Sequence, residues 1–184
     1  MEGTSSESED WLIKGVTDLT ITALPVQVEG ITYEVIQYEE VLIALPPNHR
    51  LAKNAEPNAA GCYLRLSLSL LQEEPFILLK QGQRLRQIAD ELFRKAGFKP
   101  RIIIETKNFD TAHALALAGL GVTFSLSTMG KFGQIQHPDY FSFDCHAPSR
   151  TIVIAYKQGK YISRIAREFI DITKEALGFA TART

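Results

Sequence analysis

Cysteine is almost missing from this 184-residue chain: Cys62 and Cys145 are the only two. They stand far apart and in no metal-binding or redox spacing, so the simplest reading is two reduced thiols in a cytoplasmic protein. An excess of one charge is missing as well. Lys and Arg together number 20 and Asp and Glu 21, for a net charge of −1. No basic block breaks this balance, which disfavours independent binding to DNA or RNA. No apolar run approaches the roughly 18 residues of a membrane span. The opening residues, MEGTSSESED, hold neither a basic nor an apolar segment, and so do not read as a secretory signal. Low-complexity tracts and internal repeats are absent too. What remains is 45% apolar, enough to pack one domain or two small lobes.

The chain is organised around residues 107–128, KNFDTAHALALAGLGVTFSLST. Asn108 and Asp110 are helix-capping residue types, whose short side chains can accept from the free N–H groups of a first turn. Ala112, Leu115, Ala116 and Ala118 make a small-residue helix suited to close packing on a sheet. Gly119 and Gly121 are expected to end it through positive φ, and residues 122–126 are β-prone. With a strand expected over 101–105, the unit reads as a parallel β-α-β crossover. Ligands of such sheets sit beyond the carboxyl ends of the strands, here residues 106–111. Taken alone, the stretch is no more than a buried βαβ unit.

Other elements fall around it. Thr4 with Glu7, and Ser6 with Glu9, each fit a capping box, and predict a short helix over 5–14 with Gly15 beyond it. Strands are expected over 18–23 and 33–45, the second broken by Glu39 and Glu40 and stopped by Pro46 and Pro47. Residues 48–61 read as a polar loop. Ser67 is expected to cap a helical turn over 68–72 that Pro75 ends, and 76–79 to form an apolar strand. Leu85, Ile88, Ala89, Leu92, Phe93 and Ala96 then mark the clearest amphipathic helix, closed by Gly97. A strand over 140–143, a strong strand over 151–156 and a final amphipathic helix carrying Ile162, Ile165, Ala166, Phe169, Ile170 and Leu177 complete the pattern. Long extended segments on either side of a self-contained α/β block suggest two lobes, the first built from both chain ends.

Three expected helix starts, near Thr4, Gln83 and Asn108, would offer free N–H groups and a positive dipole end, with Lys80, Arg84 and Lys107 close by. If they converge they make a pocket for a carboxylate or similar anion; otherwise each hydroxyl merely caps its own helix. Gly119–Gly121 follows a helix and precedes a strand, the wrong context for a phosphate loop. His137, Asp139, Asp144, Cys145 and His146 have no standard metal spacing and read as surface loop. Ser125, Ser127 and Cys62 lack a nucleophile's setting, and His113 reads as a packed or rim histidine. No catalytic residue, metal or cofactor is expected.

Several phrases carry a resemblance: EGTSSESEDWLIKGVTDLTIT, YEEVLIALPPNHRLAK, LSLLQEEPFILLKQGQRLRQIADELFRKAGFKPRI, ALALAGLGVTF and RTIVIAYKQGKYISRIAREFIDI. In that order and spacing, with Pro46, His49, Leu51 and Ala52 as a Pro-x-x-His-x-Leu-Ala element, the chain resembles the effector-binding domain of LysR-type transcriptional regulators from residue 2 to about 177. The resemblance implies an α/β, periplasmic-binding-protein-like fold of two lobes joined by two crossover strands. Lobe I would be 1–44 with 151–184 and lobe II 45–150, with a ligand cleft between them and an antiparallel homodimer. It implies effector contacts at Thr4 and Ser5, at Thr22, at Lys80, Gln81 and Gln83, and at Phe109, Asp110 and Thr111. The effector would be a small organic or amino acid anion, sensed in the cytoplasm with no membrane contact.

The chain departs from the family pattern at its start. The helix-turn-helix through which such regulators bind DNA is absent, and so is the first strand-helix-strand of the domain. Lobe I is therefore expected to be truncated, with unpaired edges and exposed apolar surface. The family's frequent Pro after the Gly-rich turn is also replaced, at 125–128, by SLST. Three readings compete: a ligand-sensing regulatory domain, a truncated dimerisation or interaction domain without a working ligand site, and an enzyme on a similar fold, for which no base–nucleophile pair is visible.

Overall fold

A computed structural model describes residues 1–59, 62–129, 137–143 and 149–178. The chain forms two compact units: Met1–Glu39 with Arg150–Thr184, and Glu40–Ser149.

The first unit is a small sheet between two helices. Helix α1 (Ser5–Ile13) starts at a complete capping box, Thr4 with Glu7, and ends at Lys14, with Gly15 at φ 74° just beyond. Strand β1 (Thr20–Ala23) pairs antiparallel with β7 (Ser149–Lys157), Thr22 opposite Val153, and β7 lies beside β2 (Ile31–Leu45). Because side chains alternate along a strand, Val153 and Ala155 meet Leu12 of α1, while Ile154 and Ile36 meet Ile170 of α4 (Arg164–Ala176) on the other face. The Glu34 carboxylate holds α4 in place. It accepts from Tyr156 Oη at 3.0 Å, Arg167 Nη1 at 2.7 Å and Lys174 Nζ at 2.7 Å. Burial opposes ionisation of Glu34, but these donors outweigh it and hold the carboxyl below its ordinary range.

Two expectations are corrected in this unit. The residues of the α4 stripe do not share a buried face. Ile170 alone is buried, while Ile165 is 81% and Phe169 48% exposed, and Ile172 beside them is 59% exposed. A sheet of this width is covered by one row of α4 side chains, and no described element lies over the rest. Strand β2 also runs unbroken through Glu39 and Glu40. Arg150 donates to Glu39 at 2.7 Å, Ser142 Oγ donates to Glu40, and Ser127 Oγ accepts from the Glu40 N–H at 3.0 Å. With both carboxylates partnered, the charges no longer oppose an extended path.

The second unit contains β3 (Pro75–Leu79), α2 (Arg84–Ala96), β4 (Arg101–Thr106), α3 (Phe109–Leu117), β5 (Thr123–Leu126) and β6 (Asp139–Phe141). Strands β3 and β4 pair in parallel, and Val122 bridges Phe76 in parallel, so the β4-α3-β5 crossover passes over β3. Strands β5 and β6 each pair antiparallel with the last part of β2. Residues 50–54 of the expected polar loop form a 3-10 turn. The 3-10 turn Leu68–Leu71 has no side-chain cap, because Ser67 Oγ bonds Ser69 Oγ instead; Pro75 opens β3 rather than ending that turn.

Gly121 also differs from expectation. Gly119 takes positive φ, at 85°, but Gly121 does not. Gly121 is small for a different reason: a Cβ there would lie 2.6 Å from the Pro75 carbonyl oxygen, which accepts from Val122 N at 2.8 Å. The core below is aromatic. Phe76 and Phe93 meet edge to face at 4.9 Å, and Phe124 lies 5.5 Å from Phe93. Each such ring is worth about 1.5–3 kcal/mol of burial. His49 explains the Pro-x-x-His-x-Leu-Ala element: its Nδ1 accepts from Leu51 N at 3.3 Å, its Nε2 faces buried Glu74 at 3.5 Å, and Leu51 and Ala52 pack on the core. Arg86 of α2, also buried, bonds Asp90 within the helix and ties the helix to Glu105 and the Leu79 carbonyl.

His113 of α3 is a packed core histidine, as the residue pattern suggests. It is 4% exposed; Nδ1 lies 3.1 Å from the Phe109 carbonyl oxygen and Nε2 2.8 Å from Ser125 Oγ. Burial lowers its pKa below the ordinary 6.5, against smaller opposing effects of the Phe109 carbonyl and Asp110. Between the folded and unfolded pKa values the unfolded chain binds the extra proton, so stability rises with pH there. The contribution is therefore present above pH 6.5 and lost as pH falls below it. Melting temperature should drop more steeply from about pH 7 to pH 5 in the wild type than in His113→Gln, whose side chain does not titrate. Parallel pH curves in thermal denaturation would contradict this.

Candidate functional site

Lys80, Gln81, Gln83, Phe109, Asp110 and Thr111 lie in the second unit, in the loops that follow β3 and β4 and in the first turn of α3. Parallel pairing of β3 and β4 puts both carboxyl ends on one side of the sheet. Gln83 links the two loops, its Nε2 donating to the Lys107 carbonyl at 2.8 Å, and Lys80 N donates to the Thr106 carbonyl at 2.8 Å. The amino ends of α2 and α3 are thus neighbours.

These two helix ends differ chemically. At α3, Asn108 Oδ1 accepts from Thr111 N at 3.2 Å, Thr106 Oγ1 accepts from Asn108 N at 3.1 Å, and Asp110 adds an acid to the first turn. That end is satisfied from within. At α2 the capping residue is Gln83, which makes no side-chain cap, and the first turn holds no acid. The Gln83 Oε1 and Arg84 Nε atoms are buried and have no hydrogen-bond partner among the described residues. Exposed Lys80 precedes this turn. Uncapped N–H groups, the positive end of a 13-residue helix and two nearby cations favour an anion.

In the first unit, Thr4 behaves as a cap. Its Oγ1 accepts from Glu7 N at 3.3 Å, and both its N–H and its hydroxyl donate to the Glu7 carboxylate, at 2.7 and 2.8 Å. Glu7 therefore answers the free donors of that end, and its charge works against a second anion there. Ser5 opens the helix, its carbonyl accepting from Ser8 Oγ at 2.9 Å. Thr22 is different: it is 6% exposed, and its hydroxyl has no partner among the described residues. Leaving a buried hydroxyl unpaired costs about 1–3 kcal/mol.

Among the described residues no group of three or more His, Cys, Asp and Glu could hold a metal ion. Asp139 accepts from Asn48 N at 3.3 Å, and His137 bonds the Pro138 carbonyl; Asp144, Cys145 and His146 lie outside the described residues. Ser127 and Tyr63 are joined at 3.5 Å through the Ser127 carbonyl, and burial raises the pKa of the Tyr63 and Tyr140 phenols. An open recess of about 670 Å³ over the amino end of α4, lined by Lys160, Tyr161 and Arg164 among others, contains none of the expected contacts. No helix in the described residues is long and apolar enough to cross a membrane. Sequence reasoning missed the Gln83–Lys107 link and the His113–Ser125 bond, because both join residues of separate elements that carry no shared spacing.

Comparison with known proteins gives this arrangement its context. The family model of the LysR substrate binding domain matches residues 1–178. The HTH-type transcriptional regulator YcgK of Bacillus subtilis is 29% identical over 178 residues, covering 92% of this chain and 54% of that protein. The chain thus spans about half the length of the curated relatives it matches. The regulatory domain of CcmR from Synechocystis PCC6803, solved in complex with 2-PG, superposes with a TM-score of 0.79 at 18% identity, covering 95% of this chain and 80% of that one. The effector binding domain of QuiR, solved in complex with shikimate, gives a TM-score of 0.74 at 18% identity, covering 96% of this chain and 79% of that one. The fold is therefore the periplasmic-binding-protein-like fold of LysR effector-binding domains. The family and its members are transcriptional regulators rather than enzymes, and the chain belongs to the LysR substrate-binding domain family.

Proposed function

We propose that this chain is the ligand-sensing part of a cytoplasmic LysR-type regulator and that it binds a small anionic metabolite. The carrying observation is the amino end of α2, which is uncapped, free of first-turn acid and flanked by Lys80 and Arg84. The anion takes the free N–H groups there, and Gln83 Oε1, with no partner of its own, accepts from a hydroxyl or ammonium of the same ligand. Gln81, Phe109, Asp110 and Thr111 complete the contacts of this unit. Thr22 supplies the hydroxyl contact of the first unit, with Thr4 and Ser5 in the role that the family resemblance implies. CcmR with 2-PG and QuiR with shikimate support a small-molecule effector in general terms. Bound ligand shifts the population of domain conformations, and a dimer carries that shift to a DNA-binding segment.

A second reading, an interaction domain, rests on the exposed stripe Ile165, Phe169 and Ile172 of α4 and on β1, whose second edge is unpaired among the described residues. Sedimentation separates its role from ligand binding. Association that disappears in Phe169→Asp places the stripe in an interface, whereas a monomer at every concentration removes this reading.

The sensing function is tested by thermal shift against amino acids, dicarboxylates, aromatic acids, shikimate, sugar phosphates and sulfate. A ligand at a hundredfold excess over its Kd should add about 2.7 kcal/mol of stability. Thr22→Val should leave the free protein as stable as wild type or up to about 1–3 kcal/mol more stable, since it removes an unpaired buried hydroxyl, while it weakens ligand binding. Gln83→Ala should also reduce the shift. A cooperative melt that no acid moves would contradict the proposal.

A further inference from the structure

The ring of His113 stands between the first turn of α3 and the buried strand β5. The Phe109 carbonyl can only accept, so the 3.1 Å contact places the proton on Nδ1. Burial keeps the ring neutral at pH 7, and Nε2 must then accept. Ser125 Oγ, 2.8 Å away and 0% exposed, is the donor. Ser125 in turn hydrogen-bonds Tyr140 of β6. The Phe109 ring lies 4.2 Å from the imidazole at 37°, and the Tyr140 ring 6.3 Å away. Asp110 is the acid of the adjacent turn.

We propose that His113 is a positioning residue: through its Nδ1–H tautomer it ties the Phe109 carbonyl to the Ser125 hydroxyl and so fixes the first turn of α3, the turn that presents Phe109, Asp110 and Thr111, against β5. This rests on the sensing role proposed above in calling those residues contacts; the mechanical claim stands without it. Within α3 the first turn is capped by Asn108, which accepts from Thr111 N at 3.2 Å and through its carbonyl from Ala112 N at 3.3 Å. Phe109 and Ala112 pack that turn on the core, and the imidazole adds a side-chain hydrogen bond from α3 to β5. A short helix of nine residues has little stability of its own, so the cross-element bond decides how often its first turn opens.

Two substitutions split the ring's two bonds. Asn in place of His113 puts an amide N–H where Nδ1 stands and loses the Ser125 bond; Gln reaches the Nε2 position and loses the Phe109 bond, so each variant cuts the tie at one end. Hydrogen exchange of the Thr111 and Ala112 amides in the full chain, without ligand, is the readout. His113→Asn, His113→Gln and Ser125→Ala should each speed their exchange about tenfold. Global melting temperature, measured alongside, separates a local opening from general loss of stability. Long-range 1H–15N correlation on the wild type should show a protonated Nδ1 and an unprotonated Nε2. Exchange within about twofold of wild type in the Asn or the Gln variant, or an Nε2–H tautomer, overturns the proposal. Failure of every acid to bind would instead count against the sensing role, and leaves the exchange result readable on its own.

Discussion

Two adjacent glutamates in the middle of β2 impose the main constraint on this structure. Neighbouring residues of a strand point to opposite faces, so Glu39 and Glu40 need partners on both sides at once, and a buried unpaired carboxylate is far too costly to keep. Arg150 answers Glu39 from β7. Ser142 Oγ donates to the Glu40 carboxylate from the end of β6, and Ser127 Oγ, at the end of β5, accepts from the Glu40 backbone N–H. The boundary between the two compact units falls between these two residues. One pair of side chains thus helps seat β7 in the first unit and the β6 end in the second.

The candidate site depends on a contrast among three helix amino ends. Two are closed by their own side chains: Glu7 and Thr4 at α1, Asn108 at α3. The third, at α2, has Gln83 in the capping position, and Gln83 spends its amide donor on the Lys107 carbonyl. The amide oxygen and the helix N–H groups are left to meet something else. Stability alone would favour Ser, Thr, Asp or Asn there, by about 0.5–2 kcal/mol over a residue that does not cap. Forgoing that cap at a strand's carboxyl end, beside Lys80 and Arg84, is what a binding end requires.

Much of the fold was legible in the residues. The α2 stripe, Gly97 and the Gly119 turn follow directly from period and backbone freedom, and Thr4 with Glu7 announced α1 correctly. What could not be read depended on partners distant in sequence. Glu39 and Glu40 looked like strand breakers because Arg150 and Ser142 lie more than a hundred residues away. Gly121 looked like a second turn glycine because nothing local announces the Pro75 carbonyl beside it. The α4 stripe looked like a core face, yet periodicity reports only that a face is apolar and not what covers it. At the site, the family resemblance named Gln83 and Thr22; their unpartnered atoms emerged only from packing.

In the proposed function the amino end of α2 receives the anion. The most direct test is a 15N–1H titration of the full chain with sulfate and with shikimate, followed at every backbone amide. Saturable shifts centred on the amides of Arg84, Leu85 and Arg86 are the expected result. Shifts confined to the amino end of α4, or none at any amide, would contradict it.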